Sequence, residues 1–406
     1  MPDVPMSTLV QLRLPRPELD PRARARLALL DKGFRPFFLL AAWFAVLAVP
    51  LWLLVLAGRL SLSSALAPAA LWHGHEMLFG YTAAVIAGFL LTAAARWTGR
   101  ETMIGPGLLL LAGLWLAGRV VLVLPLPPLL VAVVDAAFLP ALALVVGRVI
   151  LGTRSRRNYG VLALLGVLAL ANVVMHLDAL GLAPGWGRRA LLLGTDLVVI
   201  LMLVIGARVI PMFTRNVVGD DSIRALPLLD VAAVVAALGA SLAQLFAAPP
   251  GGVALLSALA AALVVARTRH WGARQSLREP MLWVLHVGHY WVAAGFLLRA
   301  ASLHAPALSA SATHAFTAGA IGTLTLGMMS RVSLGHTGRL IRADGATRAA
   351  FHAVTLAAVL RVAAPLWPSS YLPLLAMAGG LWALAFALFL ARALPVLARP
   401  GVESRA

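Results

Sequence analysis

Twelve times along this chain an apolar run of spanning length gives way to a short polar break. This recurrence limits the fold more than any other feature. The runs cover roughly 35–57, 71–94, 107–124, 129–151, 159–180, 188–212, 227–247, 252–267, 281–303, 311–333, 349–366 and 372–395. A bilayer's hydrocarbon core is about 30 Å thick, and about 20 helical residues cross it. Lipid offers no water to the backbone, so only helices or closed barrels can span it. The runs lack the period-two alternation of barrel strands. The chain therefore reads as an all-α, polytopic integral membrane protein with 12 transmembrane helices and short loops. Composition agrees: 61% of the 406 residues are hydrophobic and 12% are charged, against about 25% charged in a soluble domain.

Arginine placement sets the expected orientation. Arg22, Arg24, Arg26 and Arg35 lie in the N-terminal region, Arg96 and Arg100 after the second run, and Arg154, Arg156 and Arg157 after the fourth. Arg215 and Arg224 follow the sixth, Arg267, Arg269, Arg274 and Arg278 the eighth, and Arg339, Arg342 and Arg348 the tenth. The opposite loops are nearly bare apart from Arg188 and Arg189. Basic loops stay cytoplasmic, so both termini are expected in the cytoplasm. The net charge of +18 is almost all arginine, with Lys32 the single lysine. Because those arginines fall between apolar runs, topology explains them and nucleic acid is not an expected partner. Three segments result: a polar tail at 1–33 (with RPELDPRARARL), one membrane domain at 34–397 and a short tail at 398–406. The first tail lacks a cleavable signal pattern, since the apolar run after it is too long and has no small-residue cleavage site. It is expected to include a short amphipathic piece on the anionic leaflet.

There are no cysteines. That excludes a disulfide framework, an iron–sulfur cluster and cysteine-attached haem, and also a blue-copper site. Any metal must be held by His, Met, carboxylate, Tyr or backbone oxygen. Topology then gives each histidine a side. His73, His75, His176, His304 and His314 fall outside; His270, His286, His289, His336 and His352 fall inside. Lone interfacial histidines such as His270 and His304 are most simply hydrogen-bonded to backbone or headgroups. Ionisable residues within the membrane are costly and point to function. His286 and His289, at i and i+3, share a helical face, and imidazole suits Zn, Cu, Fe and Ni. In residues 71–91, LWHGHEMLFGYTAAVIAGFLL, His73 and His75 lie about 200° apart on a regular helix and cannot share a face. His73 does share one with Glu76 and with Met77. A carboxylate there would fix an imidazole's tautomer or relay protons. The small residues that follow, Gly80, Ala83, Ala84, Ala87 and Gly88, suit either close helix packing or a flat macrocycle.

Other polar groups lie within the runs: Asp135, Asn172, Asp178, Asp196 and Arg208. Arg299, Arg331 and Arg361 sit near run ends, where they snorkel or pair with an anionic group such as a haem propionate. Pro211 is expected to break or kink the sixth run. The segment THAFTAGAIGTLTLGMMSRVSLGHTGR, 313–339, places His314 and His336 about 33 Å apart along a helix. One metal cannot bind both while that helix is intact.

The block HAFTAGAIGTLTLGMMSRVSLGHTGR resembles the signature of the NnrS family. FRPFFLLAAWFA at 34–45, WHGHEMLFGYTAAVIAGFLLTA at 72–93, NVVMH at 172–176, GARVIPMFT at 206–214 and LWVLHVGHYW at 282–291 resemble further blocks of it, in order along the chain. The resemblance implies a twelve-span bacterial inner-membrane protein containing haem and copper, tied to nitric oxide metabolism, nitrosative stress and denitrification. The haem would be non-covalent and of b type. Carried over by position, the metal-ligand candidates are His73, His75, His176, His286, His314 and His336. Glu76, Met77, Arg208 and Arg331 are the candidate cofactor contacts. His289 departs from the family pattern, which often has an aromatic such as Tyr there, so His286 is the better ligand candidate.

Two functions remain open on this reading. One is a metalloprotein that acts on nitric oxide or a related nitrogen oxide, with or without turnover, served by an unknown electron donor. Depth groups His73, His75 and His314 into an outer site that His176 can join, and His286 with His336 into an inner one. The other is a transporter or metal-handling protein in which intramembrane His, Asp and Arg line a pathway. Interrupted helices in both halves would favour it. A gas sensor signalling through a partner is a weaker third reading.

Overall fold

The computed structural model describes residues 28–61 and 64–402. The amphipathic piece expected in the N-terminal tail lies outside the described residues. So do residues 403–406 of the C-terminal tail.

Among the described residues all regular structure is helical, with no strand. We number the helices α1 (Phe34–Leu56), α2 (Ala69–Thr98), α3 (Gly105–Val121), α4 (Pro128–Gly152), α5 (Tyr159–Ala179), α6 (Trp186–Val218), α7 (Pro227–Leu245), α8 (Pro250–Arg267), α9 (Pro280–Ala301), α10 (residues 308–335), α11 (Gly345–Ala363) and α12 (Tyr371–Leu397). Local sequence sets the ends. Proline opens α3, α4, α7, α8 and α9, where its missing N–H costs nothing and its fixed φ suits a first turn. Gly219 closes α6 at φ 74°, a left-handed conformation that glycine takes without strain. Pro211 sits inside α6 without ending it: helix continues to Val218.

Among the described residues, ten helices are long and apolar enough to cross a membrane. The pattern of runs predicts twelve spans, and the two exceptions have physical causes. Helix α3 has 17 residues, about 26 Å of rise. Helix α10 is rich in Gly, Thr and Ser and carries Arg331. It need not be apolar, because most of it is buried by its neighbours.

The bundle packs mainly through neighbours in sequence. Helices α1, α11 and α12 pack together, α2 packs on α1 and α4, and α9 packs on α8 and α10. One large core joins α1 through α6 with α9 through α12. A second, alanine-rich core joins α6, α7, α8 and α9 to α10.

Helices α2 and α10 share an irregularity. Each starts with seven α-helical residues, Ala69–His75 and Leu308–His314. Each then widens into seven π-helical residues, Glu76–Thr82 and Ala315–Ile321, before returning to α. Such π segments commonly mark functional positions. Here the residue just before each one is a histidine from the matched blocks.

Candidate functional site

Six polar side chains from four helices meet in the buried interior near the first π segment. They are His75 and Glu76 of α2, Arg119 of α3, Asp135 of α4, and Asn172 and His176 of α5. All are buried, His75 completely. Asp135 is the hub. Its Oδ2 lies 3.0 Å from His75 Nε2, 2.8 Å from His176 Nε2 and 3.0 Å from the Asn172 Nδ2 that donates to it. Its Oδ1 pairs with Arg119 Nη2. Arg119 Nη1 donates to Glu76 Oε1 at 2.7 Å, and that same oxygen lies 3.1 Å from His75 Nδ1. Asn172 Oδ1 is 2.8 Å from His75 Nε2.

The sequence builds this cluster economically. Asn172 and His176 are one turn apart, so α5 presents both to α4. Two glycines open the space. A Cβ on Gly118 would lie 3.0 Å from Asp135 Oδ1, and one on Gly80 would lie 2.8 Å from Arg119 Nη1. Two carboxylates face one guanidinium. The remaining negative charge calls for a proton on an imidazole or for a metal cation, since an unbalanced charge in a dry interior is prohibitively costly. One donor atom from each of His75, Asp135 and His176 lies within 4.8 Å of the other two, the spacing of a group that can hold a metal ion.

His73 is not part of this cluster. It points the other way, stacked on Trp52 with ring centroids 4.7 Å apart and planes within 8°. His73, His314 and Arg361 lie within electrostatic reach of one another. His314 Nδ1 is 2.8 Å from the Ala310 carbonyl. A carbonyl can only accept, so Nδ1 carries the proton and Nε2 keeps its lone pair. Metal-binding histidines are usually held this way. The roughly 200° between His73 and His75 thus prevails over a grouping by depth. His75 leaves His73 and His314 and joins His176 instead. Glu76 also turns to His75 rather than to His73, because the helix widens at Glu76 and the regular i, i+3 spacing no longer holds.

The inner candidates separate too. His286 Nε2 is 3.0 Å from Thr214 Oγ1, while His286 Nδ1 and both ring nitrogens of His289 are buried without a partner. His289 packs on Trp271, centroids 4.7 Å apart, and a Cβ on Gly206 would sit 3.5 Å from its Nδ1. His336 caps the C-terminal end of α10 and lies 5.8 Å from the Phe34 ring. Among the described residues no contact joins it to His286. The residue beside His286 is therefore His289, which the resemblance set aside as a ligand candidate.

The remaining candidates occupy separate places. Met77 packs against the main core, and its carbonyl accepts from Thr82. Arg331 donates to the Met281 carbonyl at 3.2 Å and lies 4.1 Å over the Phe213 ring. Arg208 lines a groove between α6 and α7. Arg299 does not snorkel. It forms a two-bond pair with Asp196, at 2.9 and 2.6 Å.

Sequence reasoning missed Arg119 altogether. It noted Asp135 and Asn172 as buried polar groups without joining them to the histidines. The signal was present: Arg119 is a lone charge inside an apolar run, and such a charge needs a partner. Thr214 and Trp271, the neighbours of His286 and His289, were also missed.

Between α1, α2, α6, α9 and α10 lies an apolar cavity of about 100 Å³. Thr82, at the end of the first π segment, Gly206 and the sulfur side chains Met328 and Met329 line it.

A family model described as NnrS protein matches residues 28–400. No curated protein matches the chain.

Proposed function

Because the chain belongs to the NnrS family, we propose that it is a membrane metalloprotein that binds or transforms nitric oxide. One observation carries the reading: the convergence of His75, Asp135 and His176 donors in a buried, charge-unbalanced cluster. The residues present fit a metal. Two imidazoles and one carboxylate suit copper, iron or zinc, and Glu76, Arg119 and Asn172 form the outer hydrogen bonds that orient such ligands. The buried, unpartnered nitrogens of His286 and His289 fit a second imidazole-bound position. His314, with Nδ1 tied to the backbone, and His73, with neither ring nitrogen hydrogen-bonded among the described residues, fit haem iron. Arg361 is close enough to both to meet an anionic propionate.

When bound, haem iron with an open position or a histidine-held copper would supply the affinity for a diatomic gas. The protein's own part is to fix the imidazoles, exclude bulk water and balance charge. The apolar cavity beside the π segments suits a small, weakly polar gas. Twelve spans, a bacterial inner-membrane location and cytoplasmic termini complete the proposal, supported by the arginine distribution.

The transporter alternative gains little from the paired π segments. They fall in both halves of the chain, yet each stays within a continuous helix. Transport sites use unwound helices with free backbone groups. An optical spectrum of the purified protein with metal analysis separates the two readings. A Soret band that shifts on adding nitric oxide, with bound copper, is expected. A folded, colourless, metal-free protein would contradict it. His73→Ala and His314→Ala should remove the same chromophore, while His336→Ala should spare it.

A further inference from the structure

A second charged region lies at the opposite, arginine-rich end of the bundle. A groove of about 750 Å³ lies there between helices α6 and α7. Arg157, Arg208, Arg215 and Arg224 line it. Asp230 also lines it, but Asp230 is engaged by Arg267, whose Nε lies 2.9 Å from its Oδ1. Among the described residues none of the four lining arginines has a carboxylate partner. Arg157 and Arg208 lie within electrostatic reach of each other, so the groove concentrates like charge.

Two further features limit the occupant. Arg208 is exposed and lies ten residues before the end of α6 at Val218, about 15 Å along the helix. Helix α6 has 33 residues and overhangs the hydrocarbon core, so this places Arg208 near the membrane surface, where its exposed guanidinium can meet an anionic headgroup. Its neighbours in the groove include Val231 and Val235, 64% and 62% exposed on α7. Exposed valines on a spanning helix face acyl chains. The groove is therefore cationic toward the membrane surface and apolar toward the bilayer.

We propose that this groove is a binding site for an anionic diacyl phospholipid, with phosphate on the arginines and an acyl chain along Val231 and Val235. Basic pockets between transmembrane helices bind anionic headgroups in this way. A free anion would satisfy the arginines but leave the valine wall uncovered. The lipid would come from the leaflet at the arginine-rich face, cytoplasmic in the proposed orientation. It would tie α6, which carries Thr214 and Gly206 beside the histidine pair, to α7.

Native mass spectrometry of the full chain in detergent tests this, with phosphatidylglycerol and phosphatidylcholine titrated separately. The wild type should retain phosphatidylglycerol about tenfold better than phosphatidylcholine. The double variant Arg208→Gln, Arg215→Gln should lose that preference, and Arg208→Lys should keep most of it. Equal retention of both lipids, or unchanged preference in the folded double variant, would overturn the proposal. If millimolar inorganic phosphate displaces phosphatidylglycerol completely, the groove takes a free anion and the lipid assignment is wrong. Should the double variant fail to fold, Arg157→Gln serves instead. Arg157 lies in a short turn ahead of α5, and its loss should reduce the preference by about threefold. No reduction in that variant would count against the site.

Discussion

The two buried histidine clusters are built on opposite principles. In the cluster around Asp135, the rings of His75 and His176 reach carboxylate or amide oxygens, and Arg119 bridges both carboxylates. Around His286 and His289, three of four ring nitrogens have no partner. A connected polar cluster in a low-dielectric interior is stable because its members satisfy one another. A buried ring without partners is stable only if something else meets it or if the packing outweighs the loss. The first cluster is thus a preformed frame into which a cation can substitute for a proton. The second holds ring nitrogens that no protein group meets, so a ligand there would gain bonds without breaking any.

Mutation can break this contrast. Asp135→Ala should have the largest effect. It strips a shared acceptor from two imidazoles, Asn172 and Arg119, and leaves a buried guanidinium with half its charge pairing. Breaking a buried pair costs about 3–5 kcal/mol, which thermal unfolding in detergent would register. An unchanged midpoint would mean that the four helices are not held through Asp135. Next come paired substitutions of a ring for a ring. His176→Phe forfeits a charged hydrogen bond and should cost about 1–3 kcal/mol. His289→Phe gives up no hydrogen bond and should cost under about 1.5 kcal/mol, as shape-conserving swaps do. Equal losses would erase the distinction between the clusters.

His73→Ala sharpens it from another side. His73 makes a stacking contact on Trp52 and no hydrogen bond among the described residues. Its removal should cost only about 0.5–1.5 kcal/mol, yet it should abolish the Soret band. A variant that is stable and still fully coloured would remove His73 from the ligand set.

Much of the fold was legible because lipid enforces a simple rule: apolar runs become helices, and each of the twelve runs overlaps one. The number of spans was less legible. Helix α10 is surrounded by protein, so its hydropathy says little about its depth. The site was readable in its residue types but not in its groupings. Topology places a histidine at a face of the membrane, and His73, His75 and His314 all share one. Which way a ring points depends on helical phase, and phase changes at a π segment that no residue between Glu76 and Thr82 announces. The 200° between His73 and His75 was the better guide than their common depth. Arg119 shows the other gap. A lone arginine in an apolar run predicts a partner without naming it, and here the partner is an aspartate 16 residues on.

The most direct test of the account is the metal-to-protein ratio of His176→Ala measured beside wild type and His336→Ala. His176 shares Asp135 with His75, whereas the His336 ring lies beside the Phe34 ring and neighbouring charges and, among the described residues, pairs with no carboxylate. The account predicts that folded His176→Ala loses one metal per chain and that His336→Ala keeps the wild-type complement. A folded His176→Ala protein that retains every metal would show that the buried cluster is a structural network and not a metal centre.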